Sequence, residues 1–112
     1  MTRADTDRLI RRFIGGDAEA AAGIVAGAAA TSEPALLVAA ALIDPAVPGL
    51  LDRASAAAVT TRDRQRVAVA AAHLDGDAER VDALARDHLA DHPDNVLVAW
   101  IAATSRTERE NS

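Results

Sequence analysis

Apolar positions recur at helical spacing along most of the chain, and the clearest run lies between Arg62 and Arg106. Val81, Leu84, Ala85, His88, Leu89 and His92 fall at i, i+3, i+4, i+7, i+8 and i+11, which forms one stripe along a helix. Glu79, Arg80, Asp82, Arg86, Asp87 and Asp91 take the other side. Asp75-Gly76-Asp77 before this helix and His92-Pro93-Asp94-Asn95 after it are stop and start signals. The pattern predicts two antiparallel helices and the start of a third. That last helix, from Asp94 to about Thr104, carries Val96, Leu97, Val98, Trp100 and Ile101 almost all round.

The same reading extends to the first half. Asp5 or Thr6 is expected to cap a short helix whose apolar face is Leu9, Ile10, Phe13 and Ile14, ended by Gly15-Gly16. A second helix follows from Asp17 to Ala30, with Gly23 and Gly27 four apart; small residues there favour close approach of a neighbouring helix. Thr31 or Ser32 is expected to cap a third, with Pro34 in its first turn and Leu36, Leu37, Val38, Leu42 and Ile43 buried. Pro48-Gly49 opens a fourth through about Val59, with Leu50, Leu51, Ala54, Ala58 and Val59 toward the core. Thr60 or Thr61 caps the fifth, whose first turns hold Arg62, Arg64 and Arg66 with Asp63. Arginine there opposes the helix dipole, and Asp52 or Asp82 is a candidate to offset it.

Two segments repeat at one offset. Gly16-Asp17-Ala18-Glu19 returns sixty residues on as Gly76-Asp77-Ala78-Glu79, and Leu36-Leu37-Val38-Ala39 aligns with Val96-Leu97-Val98-Ala99. A repeated helix–turn–helix unit accounts for both matches. Residues 1–15 then form an N-terminal basic helix, 16–60 a first half, 61–106 a second half, and 107–112 a polar tail, all within one domain spanning 1–106.

Helix, Gly-Asp, a helix sixteen residues long, Pro and a new helix is a layout that resembles a tetratricopeptide repeat. Gly76, Asp77, Pro93 and Asn95 stand at that repeat's glycine, aspartate, proline and asparagine positions. The large residues it usually carries in its first helix are here Gln65, Ala68, Val69 and Ala72, and its small residue early in the second helix is Val81. The order of signals from Asp44-Pro45 through Thr61-Arg62-Asp63-Arg64 to His92-Pro93-Asp94 is similar to the divergent repeats of the tetratricopeptide repeat 38 family, whose members are several times longer. The resemblance covers residues 33–106. It implies an all-α, right-handed array of antiparallel helical hairpins with about seven helices, and it carries over no catalytic residue.

Composition narrows the classes of use. The chain has 112 residues, enough for one domain with a real core, and alanine dominates its apolar half. All twelve basic residues are Arg, which together with the alanine reads as a GC-rich bacterial genome. With no Cys there is no disulfide framework, thiolate nucleophile or Cys-type zinc site. A formal charge of −5 argues against nucleic-acid or anionic-membrane binding. The longest uncharged run, Ala20 to Ser32, is shorter than the ~20 apolar residues a bilayer span takes. Arg11-Arg12-Phe13-Ile14 has a twin-arginine look, but Asp17 and Glu19 interrupt any hydrophobic region behind it, so a cytoplasmic protein is expected.

Candidate chemistry is sparse. Arg3, Arg8, Arg11 and Arg12 against Asp5 and Asp7 make the first helix locally basic; a solvated face on a terminal helix is the ordinary reading, and Arg8, Arg11 and Arg12 as a docking face for an acidic partner or a membrane surface is the functional one. His88 and His92, four apart, share one helix face and are metal-ligand candidates, with His73 as a third; Leu89 stands where a zincin would carry Glu. The ordinary alternative places both rings at the edge of the stripe with one nitrogen reaching solvent. Asp75, Asp77 and Glu79 alternate as in a calcium loop, but a helix starting at once does not fit that loop. From Asp75 to Asp94 seven acids face Arg80 and Arg86, a solvated face or a surface for a basic segment. The expected function is non-enzymatic, without cofactor: binding a protein or peptide, or scaffolding, including as a regulatory subunit. A small helical metal-binding protein or enzyme using His73, His88 and His92 is the alternative. A homodimer is also expected, with Val96, Leu97, Trp100 and Ile101 in its interface, because one hairpin is too little to cover the last helix.

Overall fold

A computed structural model describes residues 3–110, which form seven α-helices and, among the described residues, no strand. They are α1 (Arg3–Ile14), α2 (Ala18–Ala28), α3 (Pro34–Ile43), α4 (Leu50–Ala57), α5 (Thr61–Leu74), α6 (Ala78–Asp91) and α7 (Val96–Glu110). The last helix passes Arg106, so residues 107–110, expected as tail, are helical; residues 111 and 112 and the Arg3 side chain lie outside what is described. The helices pack as two units that divide after Ala58.

The duplicated Gly-Asp turn is the same structure twice. Gly16 and Gly76 both adopt the left-handed region, φ +95 and +76, where a side chain is strained. Gly16 N–H donates to the Phe13 carbonyl at 2.9 Å and Asp17 N–H to that of Arg12 at 3.0 Å. Gly76 and Asp77 repeat this on His73 at 3.1 Å and Ala72 at 3.0 Å. This paired pattern satisfies the last carbonyls of the preceding helix. Each Asp then caps the next helix, Asp17 accepting from the N–H groups of Glu19 and Ala20 and Asp77 from that of Arg80. The Arg12 guanidinium, bonded to Asp17, and the Ala20 N–H hold the Asp17 carboxyl below the usual aspartate range.

Packing repeats as well. In the first unit α2 packs on α1 and α3, and α1 on α3; in the second α6 packs on α5 and α7, and α5 on α7. α4 adds a cover over α3, which explains why α3 is buried without interruption from Leu36 to Ala41. A helix apolar all round needs neighbours all round. Arg53 on α4 donates to the carbonyls of Ala28 at 2.9 Å and Thr31 at 2.8 Å, closing the C-terminus of α2. The core of the second unit is Val69, Ala70 and Ala72 of α5, Val81 and Ala85 of α6, and Leu97, Val98, Ile101 and Ala102 of α7.

Several local expectations change. Asp5 and Thr6 lie inside α1, and Thr6 is buried with its hydroxyl donating to Glu33 Oε2 at 2.7 Å. Glu33, not Thr31 or Ser32, is the capping position of α3, while Thr31 Oγ1 accepts from the Glu33 N–H. Of the two glycines of α2 only Gly27 faces a neighbour, Leu36, and Gly23 is exposed. α4 ends at Ala57, and Val59, expected in the core, is 77% exposed because it lies in the connection to α5. Thr60 caps α5 as expected, through the Asp63 N–H. At that end Arg62 pairs with Asp94 at 3.8 Å and Arg66 with Asp63 at 3.3 Å.

The two kinds of glycine separate under substitution. Gly76→Val is expected to lose more than ~1 kcal/mol, because a β-branched residue is strained at that φ. Gly23→Ala, with no atom within 4 Å of the added methyl, is expected to gain ~0.5–1 kcal/mol through helix propensity. Urea titration of each variant against the parent measures both shifts.

Candidate functional site

The second unit is alanine-rich, yet it encloses a histidine. Gln65 lies eleven residues before Gly76 and His88 twelve after it, and the packing of α5 on α6 brings them level. His88 is 0% exposed. Its Nδ1 is 2.8 Å from Gln65 Oε1 and its Nε2 2.9 Å from Asn95 Nδ2. Asn95 is itself buried, and its Oδ1 accepts the Val98 N–H at 3.3 Å, which caps α7.

The chemistry of the partners assigns every proton in this chain. An N–H cannot accept, so the capping contact turns Asn95 Oδ1 toward α7 and its NH2 toward His88. An amide NH2 only donates, so His88 Nε2 carries a lone pair, and Nδ1 carries the proton that Gln65 Oε1 accepts. The ring is therefore neutral and fully satisfied. Burial pushes the His88 pKa down, and the nearby positive character of His92, Arg66 and Arg62 pushes it further, opposed by Asp91.

This corrects the expectation that His88 sits at the edge of the stripe with a nitrogen in solvent. It also bears on the metal candidates. The His92 ring lies 4.8 Å from that of His88, centroid to centroid, but each His88 nitrogen is already engaged in a hydrogen bond, to Gln65 or to Asn95. His73 lies eight residues beyond Gln65 on α5, about 12 Å along the helix axis from that level. Among the described residues no three His, Cys, Asp or Glu side chains form a group that could hold a metal ion.

The other candidates divide. Arg8, Arg11 and Arg12 each have an acid beside them, Asp5 at 4.0 Å, Asp7 at 2.8 Å and Asp17 at 2.7 Å. On α7, Leu97 and Ile101 are buried, with α7 packed on both α5 and α6. Val96 and Trp100 stay half-buried. Asp75, Asp77, Glu79, Asp87, Asp91 and Asp94 are exposed. No helix among the described residues is long and apolar enough to cross a membrane. No family model, curated protein or solved structure matches the chain.

Gln65 and Asn95 were absent from the candidates read from sequence. One signal pointed to each: Gln65 stands where the resembling repeat carries a large residue, and Asn95 stands just before an apolar helix.

Asn95→Ala removes a cap, ~1 kcal/mol, and strands a buried ring nitrogen, ~1–3 kcal/mol, so a loss of about 2–4 kcal/mol is expected in urea unfolding. The depressed His88 pKa sets the sign of the pH dependence. Below the ordinary histidine value of 6.5 the unfolded chain binds a proton that the folded chain resists. Stability is therefore present in full above that value and falls as pH drops below it. Urea midpoints should decline from about pH 7 to about pH 5 in the parent and much less in His88→Leu.

Proposed function

We propose that the protein is a non-enzymatic interaction or scaffold module built from tetratricopeptide-like hairpins. The observation that supports this best is the duplicated turn, with the same glycine conformation, the same pair of backbone hydrogen bonds and an aspartate cap in both units. Repeated helical units of this kind offer surfaces rather than reaction centres. The polar groups of buried His88 and Asn95 are spent on one another, on Gln65 and on the start of α7. The exposed acids of the α6 region favour a partner segment with basic residues, and half-buried Val96 and Trp100 mark where a second chain, including another copy, gains apolar contact.

Native co-purification followed by reconstitution from pure components tests this reading. A defined complex is expected, with Trp100, the sole tryptophan, reporting binding by its fluorescence. The alternative, a metal-binding or catalytic protein, makes a different demand. Stoichiometric zinc in untagged protein, lost in His88→Ala and His92→Ala, would overturn the interaction reading in its favour.

A further inference from the structure

The buried histidine is tied to a helix end through one side chain that serves both. Asn95 spends its oxygen on the Val98 N–H and its NH2 on His88 Nε2. We propose that His88 and Asn95 form a proton-operated latch, in which protonation of His88 uncaps the N-terminus of α7. A proton from solvent adds to the Nε2 lone pair, and Nε2 then becomes a donor facing the donor NH2 of Asn95. Two N–H groups cannot bond, and a buried cation without an acceptor is unstable. The nearest remedy is rotation of the Asn95 amide, which turns Oδ1 to the imidazolium. That same rotation presents NH2 to the Val98 N–H, so the cap is lost as the cation is satisfied.

The surroundings set the direction of the latch. From α5, Arg62 and Arg66 face the ring; Arg62 is paired with Asp94 in the turn and Arg66 with Asp63. From α6, His92 adds a second ring at 4.8 Å, and Asp91 favours the cation. α7 contributes the neutral Asn95 amide. Nδ1 needs no rearrangement, because it donates to Gln65 Oε1 in both states. The change is therefore confined to the α6–α7 corner, with the α5 contact as its fixed side.

Nitrogen-15 spectroscopy of the whole chain tests this directly. At neutral pH His88 should show the Nδ1–H tautomer. On acidification the Val98 amide should lose hydrogen-exchange protection, by roughly fivefold or more, with the same midpoint as His88, while Val69 in α5 stays protected. Constant protection at Val98 through the His88 titration overturns the proposal, as does simultaneous loss at Val98 and Val69, which is global unfolding. Asn95→Asp supplies two acceptor oxygens, one for each neighbour. In that variant Val98 should stay protected throughout and the His88 midpoint should rise; an unmoved midpoint also overturns the latch.

Discussion

Asn95 has one amide group and two neighbours to satisfy, the Val98 N–H and the His88 Nε2 lone pair. Each is a buried polar group that would be unstable alone. Because a single planar amide serves both, the position of α7 and the protonation state of α6 are one variable. Gln65 extends the same constraint to α5, so all three helices of the second unit meet at one line of hydrogen bonds. Apolar packing holds these helices together, but it is non-directional and tolerates sliding. The hydrogen-bonded line fixes which turn of each helix stands opposite which.

Small side chains make such a constraint valuable. Ala20, Ala28, Ala39, Ala40, Ala54, Ala70, Ala72 and Ala85 are all buried, and alanine interlocks less than leucine or phenylalanine. A core of this kind brings backbones close and leaves register to the helix ends. The chain duly concentrates its specific chemistry there: left-handed glycines, Asp17 and Asp77, Thr60, Asn95, and the Arg53 guanidinium on two carbonyls.

The helices and their turns were legible in the sequence because their causes are local. Gly76-Asp77 needs only its own neighbours to stop one helix and start the next, and the stripe from Val81 to His92 is set by helical period alone. The site was not legible for the opposite reason. Gln65 and His88 are 23 residues apart, Thr6 and Glu33 are 27, and Arg53 and Ala28 are 25, so no window of local pattern contains both partners. Period placed His88 correctly on the inner stripe; only the packed hairpin supplies the amides that let it be enclosed. The cover over Leu97 and Ile101 on α7 is long-range in the same way, because it comes from α5 as well as from the adjacent α6.

Ala28 and His88 are corresponding positions of the two repeated units, sixty residues apart, and each stands at the end of its unit's second helix. The first unit has a fourth helix, and closes that corner with Arg53, a group that stays charged at any physiological pH. The second unit's corner holds a neutral histidine instead, joined through Asn95 to the start of α7. The two units thus close matching helix ends with different chemistry, a permanent cation in one and a group able to gain or lose a proton in the other.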